Sequence, residues 1–464
     1  MLSYVIQKEI KDCIYGYRSL LVFILSIVLF FMAIYTGVRR YRSNLEEYNL
    51  AQSALRHQLS EKTVLWTLST AGFEIAKNPP VLEILVSGIE PYTPQIYFFN
   101  LFLLPQPRGS STSENPMAAV FGSLDLLFVV QVVLGLAALL FTFSSITGEK
   151  EAGTLKLQLA NSLPRDTLLL GKLIGNLIGF LVPVASAFAF SAFLLAAFPG
   201  ISINTDQALR IVLIGADFLL FLVVIFSLGI CISTMTTRST LAFGISLVCW
   251  VTMVAIIPKF AVVAARQLAP EESLGAYEMQ KVEVDREGTD LFETKFSAYR
   301  AQHPTGQVPH QVYDDLMKQA REKQDRDLAR IEDEYLRTKQ NQARMALRLS
   351  RFSPAGSASY AAMALAQTNI QRDMRFRATL EDYRIQFTAY YDQKAAQVDE
   401  ELNQSPNDSG ADVMSFEDLP PFQFQDEMLS VSIDRALPDL GLLVLWSLIF
   451  FAIAYFRFSR YDVR

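Results

Sequence analysis

One short segment combines charged, glycine and hydroxyl residues at a spacing suited to recognition. It reads Glu149-Lys150-Glu151-Ala152-Gly153-Thr154-Leu155. Acidic residues near a helix start are favoured by the helix dipole, Gly153 permits a tight bend, and Pro164, followed by Arg165, ends the element. The segment therefore predicts a short rigid helix presented to a partner. An ordinary connector with good turn chemistry is the alternative.

Polar side chains inside apolar stretches are the second group of candidates. They are Asp125, Gln131, Arg210, Asp217 and Lys259. Charged groups in lipid are costly and mark functional or interhelical positions. Asp125, Arg210 and Lys259 lie toward the ends of their stretches, where an interfacial position suffices. Asp217 is deeper, so we expect it, with Gln131 and Asp125 as further candidates, to line a pathway or pair with a neighbouring helix.

Motifs of catalysis and cofactor binding are missing from the sequence. His57, His303 and His310 lack metal-ligand spacing to one another or to a cysteine. Gly171-Lys172 lacks the earlier glycine of a phosphate loop, since Asp166 stands there. We therefore predict no catalytic residue, no metal site and no cofactor bound by this chain.

The composition is that of a membrane protein. Of 464 residues, 51% are hydrophobic and only 19% are charged, whereas soluble domains carry about a quarter charged residues. Six apolar stretches could cross a bilayer as helices, because a backbone in lipid must satisfy its own hydrogen bonds. They are residues 19–38, 118–143, 173–198, 209–232, 241–264 and 438–456. The predicted fold class is an all-α polytopic membrane protein with six transmembrane helices.

The distribution of charge predicts the topology. Residues 1–18, 144–172, 233–240 and 457–464 together carry a net charge of +5, whereas residues 39–117 carry 0 and residues 265–437 carry −9. Because basic residues in short loops stay in the cytoplasm, we expect both termini to be cytoplasmic. Residues 39–117 and 265–437 are then two extracytoplasmic, mainly helical insertions. Arg39, Arg40 and Arg42, directly after the first span, argue against this orientation.

The remaining segments suggest helices at surfaces. Apolar residues at helical spacing in residues 1–18 predict an interfacial amphipathic helix; an early start of the first span is the alternative. Val81–Leu104 is interpreted as a segment lying along a surface; a seventh span is the alternative. We expect the long proline-free helix Gln311–Phe352 to pair with a helix containing Ile370 to Leu402. Val81–Leu104 and the small-residue stretch Ser353–Gln367 could contact lipid or a hydrophobic cargo.

The loop sequence resembles that of a known family. Residues 149–155, then Leu163-Pro164-Arg165, then Gly171-Lys172 before the third span, look like the intracellular loop of type-two ABC exporter permeases. The six spans and the flat N-terminal helix also match. Arg351-Phe352-Ser353-Pro354, Ala364-Leu365-Ala366-Gln367-Thr368 and Asp382-Tyr383-Arg384 resemble a subgroup with large extracytoplasmic insertions.

This resemblance implies a division of labour. Residues 144–172 would carry the coupling helix that docks on a separate cytoplasmic ABC ATPase, with Glu149, Glu151 and Thr154 at the contact. Lys150, Gly153, Leu155, Pro164 and Arg165 would belong to the same element. The partner ATPase would bind ATP and Mg, so the chain itself would not be an enzyme. A second permease, the same or a homologous chain, would complete a transporter in the bacterial plasma (inner) membrane, in contact with lipid and not with nucleic acid.

Two other functions remain open at this level. An ATPase-coupled subunit could transmit force or signals to an envelope partner without transport, a role for which a long helical rod is suited. A membrane enzyme or sensor is the third alternative, and the missing catalytic constellation argues against it. The sequence does not identify the substrate.

Overall fold

The computed structural model describes most of the chain. The described residues are 2–61, 63–64, 67, 72–100, 105–108, 124–160, 164–270, 273–303, 310–404 and 413–461. Residues 118–123 of the predicted second span, Leu163 of the loop motif and parts of the predicted insertions lie outside these ranges. The chain forms two compact units, one of Met1–Val254 with Pro354–Arg464 and one of Ala255–Ser353.

Helices account for most of the described residues. They are α1 (Leu2–Tyr15), α2 (Tyr17–Ser60), α3 (Leu126–Phe128, the π-helical Val129–Leu134 and Gly135–Thr142), α4 (Thr147–Glu151), α5 (Thr154–Ala160), α6 (Arg165–Ala197), α7 (Thr205–Met235), α8 (Ser239–Val251), α9 (Ile257–Leu268), α10 (Leu274–Gln302), α11 (His310–Ser350), α12 (Pro354–Ala366), α13 (Ile370–Gln404) and α14 (Leu429–Ser459). The strands are β1 (Thr63–Val64), β2 (Phe73–Ala76), β3 (Ile96–Phe99), β4 (Gln106–Arg108) and β5 (Val413–Met414).

Six helical stretches of the described chain are long and apolar enough to cross a membrane. They are Ser19–Ser60, Leu126–Glu151, Arg165–Ala197, Thr205–Met235, Ser239–Leu268 and Leu429–Ser459. The expected all-α polytopic membrane fold is therefore confirmed. The first helix continues well beyond its apolar part, since residues 39–60 contain no proline or glycine to stop it. The second begins at Leu126, because Asp125 is its N-cap and accepts a hydrogen bond from the Phe128 N–H at 2.9 Å.

Long-range polar contacts define the two ends of the helix bundle. Arg165 donates to the backbone oxygen of Ser459 at one end. We call this the loop end, and it also carries Glu9, residues 144–160 and Ser239. At the opposite end, the Arg42 guanidinium donates to the Pro199 oxygen at 2.7 Å.

The arginines that follow the first span have intramolecular partners at the opposite end. Arg40 donates to the Glu83 backbone oxygen at 3.0 Å, as Arg42 does to Pro199. Arg39 lies over the ring of Tyr35, 6.0 Å from its centroid. The three arginines therefore stabilise the local structure through these contacts. This role does not depend on which side of the membrane they face.

A small mixed domain lies at the opposite end. Strands β2, β3 and β4 form an antiparallel sheet in that order, with Phe73 opposite Phe99. Aromatic rings of α13 pack on this sheet, so that Phe387 lies 5.5 Å from both of these phenylalanine rings. The sequence analysis missed these strands, because each has only three or four residues and they alternate poorly.

The interpretation of Val81–Leu104 as a surface segment is wrong for its described part. Leu82, Ile84 and Leu85 are buried in the main apolar core. Tyr97 is also buried and packs 5.4 Å from the Phe376 ring. Tyr97 and Phe99, two of the aromatic residues that suggested contact with lipid or cargo, therefore belong to the core of a folded domain, whereas Tyr92 is 49% exposed.

Helix α12 contains the small-residue stretch, and the structure buries it. Ala358, Ala361, Ala362 and Leu365 are each at most 1% exposed, and α12 packs against α7 and α14. Small side chains allow helices to approach closely in a membrane. The stretch therefore serves helix packing, and the expectation that it contacts lipid or cargo is wrong.

The unit Ala255–Ser353 contains α9, α10 and α11. Here α11 packs against α10 and α9, with the Tyr335 ring stacked on Tyr277 at 4.1 Å. The predicted pairing of α11 with the helix that begins at Ile370 is wrong. That helix, α13, carries large aromatic residues that fill the face of the sheet, whereas α10 supplies the aromatic partners of α11.

Candidate functional site

The charged residues of the loop bind the ends of other helices. Lys150 on α4 donates through Nζ to the backbone oxygens of Thr234 at 2.6 Å and Thr236 at 2.9 Å. The last carbonyls of a helix have no partner within it, and a cation there also interacts favourably with the helix dipole. Lys150 therefore caps the C-terminus of α7. The Thr147 hydroxyl adds a bond to the Ser233 oxygen at 3.0 Å.

Glu151 performs the complementary task for the next helix. Its carboxylate accepts hydrogen bonds from Ser239, which is the first residue of α8. An anion at a helix N-terminus satisfies an otherwise unpaired N–H and is stabilised by the dipole. Two consecutive side chains, of opposite charge, thus hold the end of α7 and the start of α8.

Glu149 belongs to a buried triad of charges. The Lys172 ammonium group lies 2.7 Å from a Glu149 carboxylate oxygen and 3.0 Å from one of Glu9. The Lys172 side chain is only 4% exposed. Burial disfavours the charged form of Lys172, whereas the two neighbouring carboxylates favour it. The two ion pairs thus compensate for the cost of burying the cation. The triad joins α4, α6 and α1.

Three glycines let α1 approach α6 closely, and the sequence analysis overlooked them. A Cβ atom added at Gly171, Gly175 or Gly179 would lie 2.5–2.6 Å from a side-chain atom of Val5, Glu9 or Cys13, respectively. Their spacing of four residues places them on one face of α6. The repeated Gly-x-x-x-Gly pattern, a known signal for close helix packing, could have revealed this contact.

The turn between α4 and α5 is exposed. Gly153 has φ +72°, a conformation that residues with a Cβ rarely adopt. Beyond it, Leu155 is buried, whereas Leu157 is 69% exposed. Thr154 is also exposed, and its hydroxyl donates back to the Glu149 oxygen at 3.4 Å. The turn and Leu157 thus form a free surface at the loop end.

Pro164 and Arg165 begin the third span. Pro164 is the N-cap residue of α6, with ψ 138°, and Arg165 is the first helical residue. The Arg165 guanidinium donates to the oxygen of Ser459, the last residue of α14. The described part of residues 144–172 therefore contacts the ends of α7, α8 and α14. Through the triad with Lys172 and Glu9, Glu149 also connects it to α6 and α1.

The other predicted polar residues lie away from this loop. Besides its capping bond, Asp125 accepts from the Ser87 N–H at 3.0 Å and hydroxyl at 2.7 Å. Gln131 lies in the π-helical part of α3 and donates to the Ala355 oxygen and the Ser359 hydroxyl, both at 2.9 Å. Both residues thus connect separate elements in the half of the bundle that is away from the loop end. Asp217 is fully buried on α7.

The opposite end also contains a polar cavity of about 320 Å³. Asp206, Arg210 and Gln367 contribute to its lining. Gln367 has φ +59°, a strained conformation for a residue other than glycine, and its amide donates to the Glu427 oxygen at 2.8 Å. The motif Ala364–Thr368 thus ends at this cavity. Among the described residues, no group of three or more His, Cys, Asp or Glu side chains could hold a metal ion.

Comparison with known proteins agrees with this architecture. A family model described as ABC-2 family transporter protein matches residues 4–463. No curated protein matches the sequence. Because the family match extends over nearly all of the chain, including the six apolar helices and the loop that connects their ends, this multi-pass membrane protein belongs to the ABC-2 transporter family and is of the permease-subunit type.

Proposed function

We propose that the chain is the transmembrane subunit of an ATP-driven exporter, and that a separate ATPase acts on residues 144–172. One observation carries the proposal: consecutive loop residues hold different helices. Lys150 binds the end of α7, Glu151 the start of α8, and Glu149 the Lys172 side chain of α6. A partner that displaces α4 must move these helix ends together or break the bonds, which is what coupling requires.

The surface that the ATPase contacts is the turn at Gly153 and Thr154, together with Leu157. The resemblance had suggested Glu149 and Glu151 for the contact as well. Both carboxylates are engaged within the chain, whereas Leu157 has no such role and is exposed. Protein interfaces are commonly anchored by apolar side chains that a polar rim surrounds. Leu157 is therefore the residue best placed to enter a pocket of the ATPase.

The proposal includes the orientation and the remaining partners. Glu9 and Ser459 lie at the loop end with residues 144–160, so a loop in the cytoplasm places both termini there in the bacterial plasma membrane. The partner ATPase binds ATP and Mg. A second permease, identical or homologous, completes the pathway for cargo.

Co-purification tests this proposal directly. The tagged chain is expressed at its native level, purified in mild detergent and analysed by mass spectrometry and ATPase assay. We expect a stoichiometric Walker-motif ATPase that is lost when Glu149–Leu155 is deleted. A chain that purifies alone, even after gentle crosslinking, would contradict the proposal. A homogeneous or mixed permease population in the same sample distinguishes the homodimer from the heterodimer.

Force transmission without transport is the second candidate, and the unit Ala255–Ser353 favours it. Its helix α11 has 41 residues and is thus about 60 Å long. A stiff rod of this length suits a role in reaching an envelope partner. Comparison of exported compounds between strains with and without the chain separates the two functions, because an exporter changes them and a transmission device does not.

A further inference from the structure

A groove with apolar walls lies where α1, α2 and α6 meet, and it has a volume of about 350 Å³. Its walls include Ile10 of α1, Leu20 and Phe23 of α2, and Ile178, Val182 and Pro183 of α6. Leu20 and Val182 are each 60% exposed. The groove is therefore open toward the outside of the helix bundle, where a membrane protein meets lipid.

The polar groups of this groove already have partners within the chain. Pro183 has no N–H, so the carbonyl of Gly179, four residues earlier in α6, lacks its usual helical donor. The Ser19 hydroxyl of α2 replaces that donor and lies 3.4 Å from the Gly179 oxygen. Ser186, the other hydroxyl residue of the walls, donates to the Pro183 oxygen at 2.8 Å. The groove thus requires no water, and it offers an occupant apolar contacts.

The groove fits within one leaflet of a membrane. Its α2 wall belongs to the first turns of the candidate span that begins at Ser19. Along α6 the walls extend from Ile178 to Ser186, which is about 12 Å of helix. One leaflet contributes about 15 Å, half of the ~30 Å hydrocarbon core. Hydrocarbon chains surround the protein at this depth, and an empty groove would leave its walls without van der Waals partners.

Helix α1 borders the groove and carries basic side chains on its exposed face. Ile10 belongs to the walls, whereas Lys8 and Lys11 are exposed. Asp12 adds one exposed acidic residue, and Glu9 is engaged in the buried triad. Amphipathic helices with lysines on their polar face bind at anionic lipid surfaces. The charge of α1 therefore favours an occupant with an anionic headgroup.

We propose that the groove binds an acyl chain of an anionic phospholipid, whose headgroup lies at Lys8 and Lys11. A chain is as apolar in the groove as in the bilayer, so burial alone gives no preference for the site. Selection comes from van der Waals contact along the walls and from the two ammonium groups. This site is separate from the exposed turn and Leu157, and it does not depend on the proposed function.

The bound lipid has a structural consequence for the loop end. Its chain packs against Ile10 and thereby holds α1 on the glycine face of α6, where a Cβ added at Gly179 would lie 2.6 Å from the Cys13 sulfur. The same packing keeps the Glu9 carboxylate 3.0 Å from the Lys172 ammonium group. Anionic lipid therefore stabilises the triad that joins α1 and α6 to the loop.

Photocrosslinking of the full chain in lipid nanodiscs tests the site. The probe is phosphatidylglycerol with a diazirine in its acyl chain, present as a minor component in phosphatidylcholine, and mass spectrometry locates the labelled residues. We expect more labelling at Leu20, Phe23 and Val182 than at Phe193, which is 69% exposed on α6 outside the groove. The same diazirine chain on phosphatidylcholine should label the groove less.

Three variants locate the interactions. Ser186→Phe fills the groove from an exposed position, so it should fold and lose the excess labelling at Leu20 and Phe23. Ala189→Phe is the matched control, because it adds the same ring at an exposed position of α6 that is not part of the walls. Lys8→Gln/Lys11→Gln should lower labelling by phosphatidylglycerol about fivefold for each lysine and leave labelling by phosphatidylcholine unchanged.

Three results would overturn the proposal. Labelling at Phe193 equal to that in the groove would indicate the lipid that surrounds any span. Wild-type labelling in Ser186→Phe would place the chain elsewhere, and equal labelling by the two lipids would exclude a headgroup at Lys8 and Lys11.

The position of α1 has a readout of its own. The buried thiol of Cys13, in a background of Cys231→Ser and Cys249→Ser, should react with maleimide more slowly in nanodiscs that contain phosphatidylglycerol than in phosphatidylcholine alone. Equal rates would show that the lipid does not hold α1 in place.

Discussion

Glu151 accepts two hydrogen bonds from Ser239, one from the backbone nitrogen at 2.9 Å and one from the hydroxyl at 2.6 Å. Residue 151 ends the short helix α4, and residue 239 begins α8. A single exposed side chain thus joins the loop to the start of the fifth candidate span. The neighbouring Lys150 joins the same loop to the end of the fourth. Loop displacement and helix displacement are therefore mechanically linked.

Reversal of the charge at Glu151 should uncouple the loop from α8. In Glu151→Lys, a cation replaces the anion at the positive end of a helix, so both bonds to Ser239 are lost and the dipole interaction becomes repulsive. We expect the chain to insert and purify normally, and cargo-linked stimulation of the partner ATPase to disappear. The measurement is ATPase activity of the reconstituted complex.

A matched control is available for this charge reversal. Glu61→Lys changes an exposed carboxylate after the end of α2, away from the loop, and should retain stimulation. Glu151→Gln keeps acceptor capacity and should show partial stimulation. Full stimulation in the Glu151→Lys complex would remove Glu151 from the coupling path.

Replacement of Lys172 by methionine should destabilise the loop end. The change leaves the carboxylates of Glu9 and Glu149 close together and without their cation. Removal of one partner from a buried ion pair costs about 3–5 kcal/mol, so we expect a clearly lower melting temperature. Addition of Glu9→Gln and Glu149→Gln to Lys172→Met should recover most of the lost melting temperature. If the triple variant were no more stable than Lys172→Met alone, the triad would not explain the loss.

A methyl group at Gly175 should displace α1 from α6. The added Cβ would lie 2.5 Å from the Glu9 Cβ and 3.1 Å from the Ile6 oxygen, distances that force the helices apart. The readout is the buried thiol of Cys13, which should react faster with maleimide in Gly175→Ala in a background of Cys231→Ser and Cys249→Ser. Gly244→Ala is the control, since no atom lies within 4 Å of its added Cβ. Equal rates would show that the close approach is not required.

Sequence reasoning identified the membrane fold and the loop because both depend on local patterns. Apolar length predicted the spans, and the glycine at position 153 predicted a tight bend in the loop, where the structure has a turn. The partners of the charged residues were out of reach, because Glu151 and Ser239 are 88 positions apart in the chain. The small sheet was missed for the same reason, since strands of three or four residues are defined by their neighbours.

Glu83 should make the domain at the opposite end less stable as the pH rises. Burial, opposed in part by Arg40, raises the pKa of Glu83 from 4.5 to about 7. The folded chain therefore keeps this proton up to about pH 7, while the unfolded chain releases it near pH 4.5. The contribution of Glu83 to the free energy of unfolding is therefore largest below pH 4.5, falls by about 3 kcal/mol between these values and is constant above them.

Thermal unfolding at a series of pH values checks this dependence. Glu83→Gln, which cannot ionise, should abolish the fall between pH 4.5 and 7. Glu46→Gln on the exposed side of α2 is the control and should behave as the wild type. A Glu83→Gln chain with the unaltered profile would assign the dependence to other groups.

An aspartate at Leu157 should block capture of the ATPase without affecting the fold. Leu157 is 69% exposed, so its replacement removes few contacts within the chain. An apolar anchor at the centre of an interface contributes about 2 kcal/mol or more, which corresponds to roughly thirtyfold in affinity. We therefore expect Leu157→Asp to retain the wild-type melting temperature and to lose the co-purifying ATPase.

Leu50→Asp, at a position 63% exposed on α2, should retain both, because it lies on the polar extension of that helix away from the loop end. Leu155→Asp should lose both, since Leu155 is 1% exposed and anchors α5 to the bundle. The three leucines thus separate docking from folding, and ATPase capture by Leu157→Asp at the wild-type level would exclude this surface as the docking site.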